Sequence, residues 1–154
     1  IPAQAALPDV LQSIDGHYRC AMSWDADAGS WLRYDPQTDP GDNALTALDH
    51  VTPFWILMQT RGTLHISGTA PGTVQQPLQA GWNLVAYPAG QSRSLPDALG
   101  EIRDRCQSVF AYDEGSWSHC SGGAPVWTNS LTALRPGSGY WMHVDGDCTF
   151  TVTN

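Results

Sequence analysis

Residues 7–25 recur almost position for position 88 residues later in this 154-residue chain. Leu7-Pro8-Asp9, Ile14, Tyr18 and Asp25 answer to Leu95-Pro96-Asp97, Ile102, Cys106 and Asp113 without a gap. A turn shorter by two residues then lowers the offset to 86. Asn43-Ala44-Leu45-Thr46-Ala47-Leu48 falls on Asn129-Ser130-Leu131-Thr132-Ala133-Leu134, and Phe54-Trp55 on Tyr140-Trp141. A period this long is too large for a solenoid and points to a duplicated half-domain. The chain reads as one domain, 1–154, made of two repeats at about 1–70 and 71–154, long enough to bury a full core. Catalytic centres are rarely written twice, so the repeat favours a structural or binding role over an enzyme.

Local signals give each copy the same order of elements. A short amphipathic helix comes first: Leu95, Ala98, Leu99, Ile102 and Cys106 keep helical spacing, as do Leu7, Val10, Leu11, Ile14 and Tyr18. Ser94 is placed to cap the second helix, with Pro96 and Asp97 in its first turn, and Gly16 closes the first. A hairpin follows, 20–24 with 31–34 and 109–112 with 117–120, each turning through Asp, Gly and Ser. Two more strands then form a second hairpin: 53–58 with 63–67, and 139–144 with 148–153.

The apolar run Gly81-Trp82-Asn83-Leu84-Val85-Ala86-Tyr87-Pro88 is short and β-rich, and reads as a central strand that opens the second copy. Nothing ahead of Leu7 plays that part; Ile1-Pro2 aligns with Tyr87-Pro88. Ile1 is an unusual first residue, which points to processing or trimming upstream. An unfilled sheet position leaves backbone donors and acceptors open to strand addition, from another chain or from a segment cut away upstream. The expected fold is α+β and mostly antiparallel β, a pseudo-two-fold duplication of a strand–helix–hairpin–hairpin unit whose first copy lacks its opening strand.

Charge narrows the partners. The chain has no lysine, seven arginines and 15 acids, for a net charge of −8. Such a surface repels phosphate backbones and anionic membranes, so no nucleic-acid partner is expected. No apolar run is long enough for membrane insertion as a helix. Low charge with abundant Gly, Pro, Ser, Thr and Trp fits an extracellular or cell-surface module.

The cysteines agree with that location. Cys20, Cys106, Cys120 and Cys148 show no CxxC spacing, which disfavours zinc and favours two disulfides in an oxidising compartment. Under the repeat, Cys106 and Cys120 take the places of Tyr18 and Tyr34. That suggests Cys106–Cys120 and Cys20–Cys148, although four cysteines allow three connectivities.

Three motifs in order, the Gly81–Pro88 run, Tyr112-Asp113 with Trp117, and Pro136-Gly137-Ser138-Gly139-Tyr140-Trp141, carry a resemblance. The chain resembles, over nearly its whole length, the duplicated GWNLVxYP/YD..W/PGxGYW module of secreted and surface proteins of Chloroflexota-like bacteria and some archaea. The resemblance implies an extracellular β-rich module appended to larger surface proteins, with no activity attached. The chain departs from that pattern in lacking the first opening strand, in having His50-Val51-Thr52-Pro53-Phe54-Trp55 for the first PGxGYW, and in carrying Trp127 in a loop.

Candidate sites are few. Flat aromatic surfaces stack on sugars, but Trp31 with Trp117 and Trp55 with Trp141 recur at matched positions and Trp82 lies in a strand, which fits core packing. Trp24 and Trp127 have no tryptophan counterpart and are the better glycan-binding candidates. Asp25, Asp27 and Asp35 make a weak calcium candidate, since alternate aspartates can converge oxygens, but the terminal glutamate of such a loop is missing. Cys120-Ser121-Gly122-Gly123 after His119 bears only a faint likeness to a protease nucleophile segment, since a working triad also needs a separately placed base, an orienting carboxylate and an oxyanion hole. The five histidines lack ligand spacing, and no glycine-rich loop opens a helix. No cofactor is expected. The expected function is a non-catalytic surface module for adhesion or self-assembly, its partners being other copies or neighbouring surface domains. Carbohydrate binding through exposed tryptophans is the alternative.

Overall fold

A computed structural model describes residues 5–69, 71–113, 115–125 and 128–154. The protein is mostly antiparallel sheet with two short helices. It comprises two compact units, Ile1–Thr69 and Ala70–Asn154.

In the first unit, β1 (Ala5–Ala6) runs straight into α1 (Leu7–Leu11) and a 3-10 turn, Gln12–Ile14. Pro8 suits the first turn because its missing amide is not needed there, and Leu7, Val10, Leu11 and Ile14 face inward. β2 (Tyr18–Asp25) and β3 (Ser30–Tyr34) form the expected hairpin; β4 (Ala47–Leu48) pairs with β1, and β5 (Trp55–Met58) joins β2. The main sheet is therefore β3-β2-β5. Its inner face, with Ala21, Ile56, Leu32 and Tyr34, closes over the helix.

The second unit starts with β6 (Thr73–Leu78) and β7 (Gly81–Ala86), followed by β8 (Arg93–Ser94) and α2 (Leu95–Leu99). Ser94 caps α2 as its sequence predicts: Oγ accepts from the Asp97 amide at 3.4 Å and donates to its carboxylate at 2.5 Å. β9 (Cys106–Asp113), β10 (Ser116–Ser121), β11 (Ala133–Leu134), β12 (Gly139–Val144) and β13 (Cys148–Thr153) follow. The main sheet runs β10-β9-β12-β7, while β8 pairs with β11 and β6 with β13. Tyr87, Leu134, Met142, Val144 and Phe150 are fully buried at its centre.

Registers match between units. Met22 faces Trp55 and Phe110 faces Trp141; Ala21 faces Ile56 and Val109 faces Met142. Each ladder carries a bulge at the same place, passing over Arg19 in the first unit and Gln107 in the second. The Leu7 amide donates to the Thr46 carbonyl at 2.9 Å, and the Leu95 amide to that of Thr132 at 2.8 Å.

Three expectations are corrected. Residues 63–67 are not a strand, and β12 with β13 is not a hairpin. β13 instead pairs along its length with β6, and among the described residues the first unit has no counterpart of β6, so its 63–67 segment has no ladder to join. β7 is an edge strand rather than a central one. Its alternate residues Asn83 and Val85 are buried while Trp82 is 45% exposed, the pattern of a strand covered on one face.

Candidate functional site

A sheet edge is a row of backbone donors and acceptors, and folded proteins normally cover it. Both units cover one edge of the main sheet in the same way. The Asp35 amide donates to Asn43 Oδ1 at 2.7 Å, and the amides of Ala44 and Leu45 donate to the Arg33 carbonyl at 3.1 and 3.0 Å, which closes the β3 edge. On β10, the Ser121 amide donates to Asn129 Oδ1 at 3.0 Å, and the amides of Ser130 and Leu131 donate to the His119 carbonyl, both at 2.9 Å.

The opposite edges differ. In the second unit β7 lies along β12 and ends the sheet, and Gln76 covers the backbone of one of its residues, Nε2 donating to the Ala86 carbonyl at 2.9 Å and Oε1 accepting from the Ala86 amide at 3.1 Å. In the first unit β5 holds the place of β12 and ends the sheet. Among the described residues, no backbone group of the first unit pairs with its outer edge.

Apolar side chains are exposed on β5 and on the 63–67 segment that follows it. Leu57 is 52% exposed, Met58 38% and Ile66 43%. The positions matching Met58 and Ile66 are Val144 and Val152, buried to 0% and 2% exposure, and the position matching Leu64 is Phe150, at 0%. In the second unit β13, which carries Phe150 and Val152, pairs with β6, and β12 pairs with β7.

The tryptophans do not fill the core as expected. Trp31 and Trp117 are 46% and 56% exposed, and Trp55 and Trp141 are half-buried. Strand alternation places these rings on the sheet face turned away from each unit's core. Trp82 meets Phe110 at 5.7 Å, Trp141 at 6.5 Å and His143 at 5.0 Å, each contact close to edge-on. Trp24 meets its cross-strand neighbour Trp31 at 5.5 Å with planes 71° apart. Trp117 meets Tyr112 at 5.1 Å with planes 56° apart. Trp127 lies outside the described residues, as does the Ile1-Pro2 segment.

The cysteines are free thiols, so the two expected disulfides are not formed. Cys120 stands opposite Val109 and Cys106 opposite Val144, so neither strand pair sets one thiol directly against the other. Cys106, Cys120 and Cys148 pack against the second core. Burial pushes the Cys106 thiol up to about 11, the backbone of Ser108 working against it and the neighbouring Cys148 and Cys120 adding to it. Burial likewise raises Cys148. Such thiols are poor nucleophiles at neutral pH.

The remaining candidates do not converge. Asp25 Oδ1 accepts from the Ala28 amide at 3.0 Å within its own turn, while Asp35 is taken up by Arg33 at 2.8 Å and by the Gln37 amide. Among the described residues no group of three metal-ligating side chains is found. Ser121 Oγ shares a hydrogen bond with Ser108 Oγ at 3.0 Å, and His119 stacks on Phe110 at 5.5 Å. A shallow cleft of about 440 Å³ is lined by Asp113, Ser130, Thr132, Arg135 and Tyr140; its one ion pair, Arg135 with Asp113 at 3.6 Å, is solvent-exposed. No helix among the described residues is long and apolar enough to cross a membrane.

No protein-family model, no curated protein and no solved structure matches the chain.

Proposed function

We propose that this protein is a non-catalytic extracellular module for assembly or adhesion, and that the outer edge of β5 accepts a strand from another chain. The observation that carries this reading is the contrast between β12, lined by β7, and β5, which ends its sheet. Strand addition suits such an edge: main-chain hydrogen bonds supply affinity, and alternate side chains supply specificity. The apolar side chains beside it add driving force. Leu57 and Met58 are already about half covered, so completing their burial is worth about 1 kcal/mol each. The acidic, lysine-free composition supports a place outside the cell.

The same reading includes an origin by duplication. The matched registers, the matched bulges and the shared covering of β3 and β10 support it. Glycan binding is the second reading, favoured by the exposure of Trp117 and Trp82.

Light scattering across a hundredfold concentration range, with hydrogen exchange on the native protein, tests the acceptor reading. Concentration-dependent assembly that protects the β5 amides is expected. A monomer at every concentration whose β5 amides are already protected would sink it.

A further inference from the structure

The cleft that holds Asp113 and Arg135 lies wholly within the second unit, and no described tryptophan lines it. We propose that this cleft binds a neutral saccharide through Asp113, Arg135 and the hydroxyls of Ser118, Ser130 and Thr132. The inference rests on the glycan reading, to which it gives a site apart from the tryptophans. The β5 acceptor reading does not enter it.

Matched positions of the first unit show a different use of the same place. At the offset of 86, Ser118, Ser130 and Arg135 answer to Leu32, Ala44 and Asp49, and Gly137 and Gly139 to Val51 and Pro53. Asp49 folds back on its own loop, Oδ1 accepting from the Val51 amide at 2.9 Å and from the Thr52 hydroxyl at 2.6 Å. Asp25, the counterpart of Asp113, accepts from the Ala28 amide in its own turn. The second unit instead sets a carboxylate beside a guanidinium, has hydroxyls where the first has apolar side chains, and has glycines where the first has larger residues. A Cβ placed on Gly137 would meet no atom within 4 Å, so the cleft is open there. Packing alone asks for none of these differences.

The chemistry of the groups selects the ligand. Asp113 Oδ2 and Arg135 Nη1 stand 3.6 Å apart, too far for a direct hydrogen bond. Opposite charges this close offset each other, so the pair favours neither a free cation nor a free anion. A hydroxyl set between them accepts from the guanidinium and donates to the carboxylate, and a saccharide carries such hydroxyls side by side. Ser130 Oγ is fixed by accepting from the His119 amide at 3.1 Å, and keeps its hydrogen for a ligand oxygen. The Tyr140 hydroxyl accepts from the Arg135 amide at 2.7 Å and so holds the backbone that carries the guanidinium. The cleft volume, about 440 Å³, falls in the range of about 300–1,000 Å³ that takes a small ligand. A net charge of −8 disfavours a polyanionic sugar.

The test titrates the intact protein with cellotriose, maltotriose, mannotriose and triacetylchitotriose, with trigalacturonate as a charged probe, and follows amide and indole shifts by NMR. At least one neutral trisaccharide is expected to bind at millimolar concentration and to shift the amides of 130–135. Arg135→Ala and Asp113→Asn change exposed side chains, and each is expected to weaken that binding at least tenfold while the melting temperature stays in place. If neutral sugars shift the Trp82 and Trp117 indoles instead, and both variants bind them unchanged, the cleft falls and the glycan reading stands. Binding of trigalacturonate alone would make the cleft an anion site and overturn the inference. If no probe binds, the cleft and the glycan reading fall together, and the β5 acceptor reading is untouched.

Discussion

The carboxamide of Gln76 is hydrogen-bonded to both backbone groups of Ala86, donating to its carbonyl at 2.9 Å and accepting from its amide at 3.1 Å. This side chain is 6% exposed, and it joins β6 to the outer edge of β7, two strands that belong to separate sheets. Removing a buried partner leaves the other group desolvated and unpaired, at about 1–3 kcal/mol. Gln76→Ala strips two groups at once. Denaturant unfolding is expected to show a loss of about 2–4 kcal/mol, with the Ala86 amide exchanging faster than those of β9. A loss under about 0.5 kcal/mol, the size of an ordinary surface change, would mean that the seal is not structural.

Tyr87 gives the opposite sign. Its side chain is 1% exposed, and its hydroxyl has no hydrogen-bond partner among the described residues. Burial accordingly holds its pKa above the ordinary tyrosine value. Tyr87→Phe deletes the unpaired group and keeps the ring, so thermal unfolding should shift upward, by about 1 kcal/mol in stability. A clear destabilisation would reveal a hydrogen bond that the hydroxyl makes through bound water.

These two residues mark the limit of what the sequence makes legible. The helices, the Ser94 cap and the first hairpins rest on neighbours within a few positions, and they are readable for that reason. The repeat offset carries the ladder registers as well, because a bulge or a turn of fixed length sets which residues face each other. Partner choice between distant strands is not local. Asp145-Gly146-Asp147 resembles a hairpin turn, yet β13 pairs with β6, some seventy residues earlier in the chain. Residues 63–67 have strand composition and form none, because a strand exists only with a neighbour. The exposure of Trp31, Trp82 and Trp117 was hidden for a related reason: alternation shows that two faces differ, but not which one a helix covers. The exposure of Leu57 and Met58 on β5, the end strand of its sheet, likewise needs the structure.

Matched positions in the two units should respond differently to truncation. Phe150 is fully buried, and Phe150→Ala is expected to cost about 3–5 kcal/mol. Ile66 is 43% exposed, so Ile66→Ala in the lone chain should cost no more than about 0.5 kcal/mol, as surface changes do. Denaturation of the two variants in parallel measures both. An Ile66→Ala cost of several kcal/mol would show that the 63–67 segment is already packed.

High pH should destabilise the protein in two overlapping stages. Burial pushes the Cys106 thiol from its ordinary 9.0 up to about 11, and the Tyr18 hydroxyl from 10.0 up to about 12, with Tyr34 and Asp15 adding to the latter. The two residues occupy matched places, at the start of β9 and of β2. Each group is held neutral in the folded chain at pH values where the unfolded chain ionises it. The stability tied to a raised pKa is fully present below the unfolded value and is lost as pH climbs through the folded one. The melting temperature should therefore lose the Cys106 part between pH 9 and 11 and the Tyr18 part between 10 and 12. Cys106→Ser should remove the earlier part of the fall and Tyr18→Phe the later, each measured by calorimetry against pH. A melting temperature that rises across this window, or variants that leave the profile unchanged, would show that neither group is ionised against the fold.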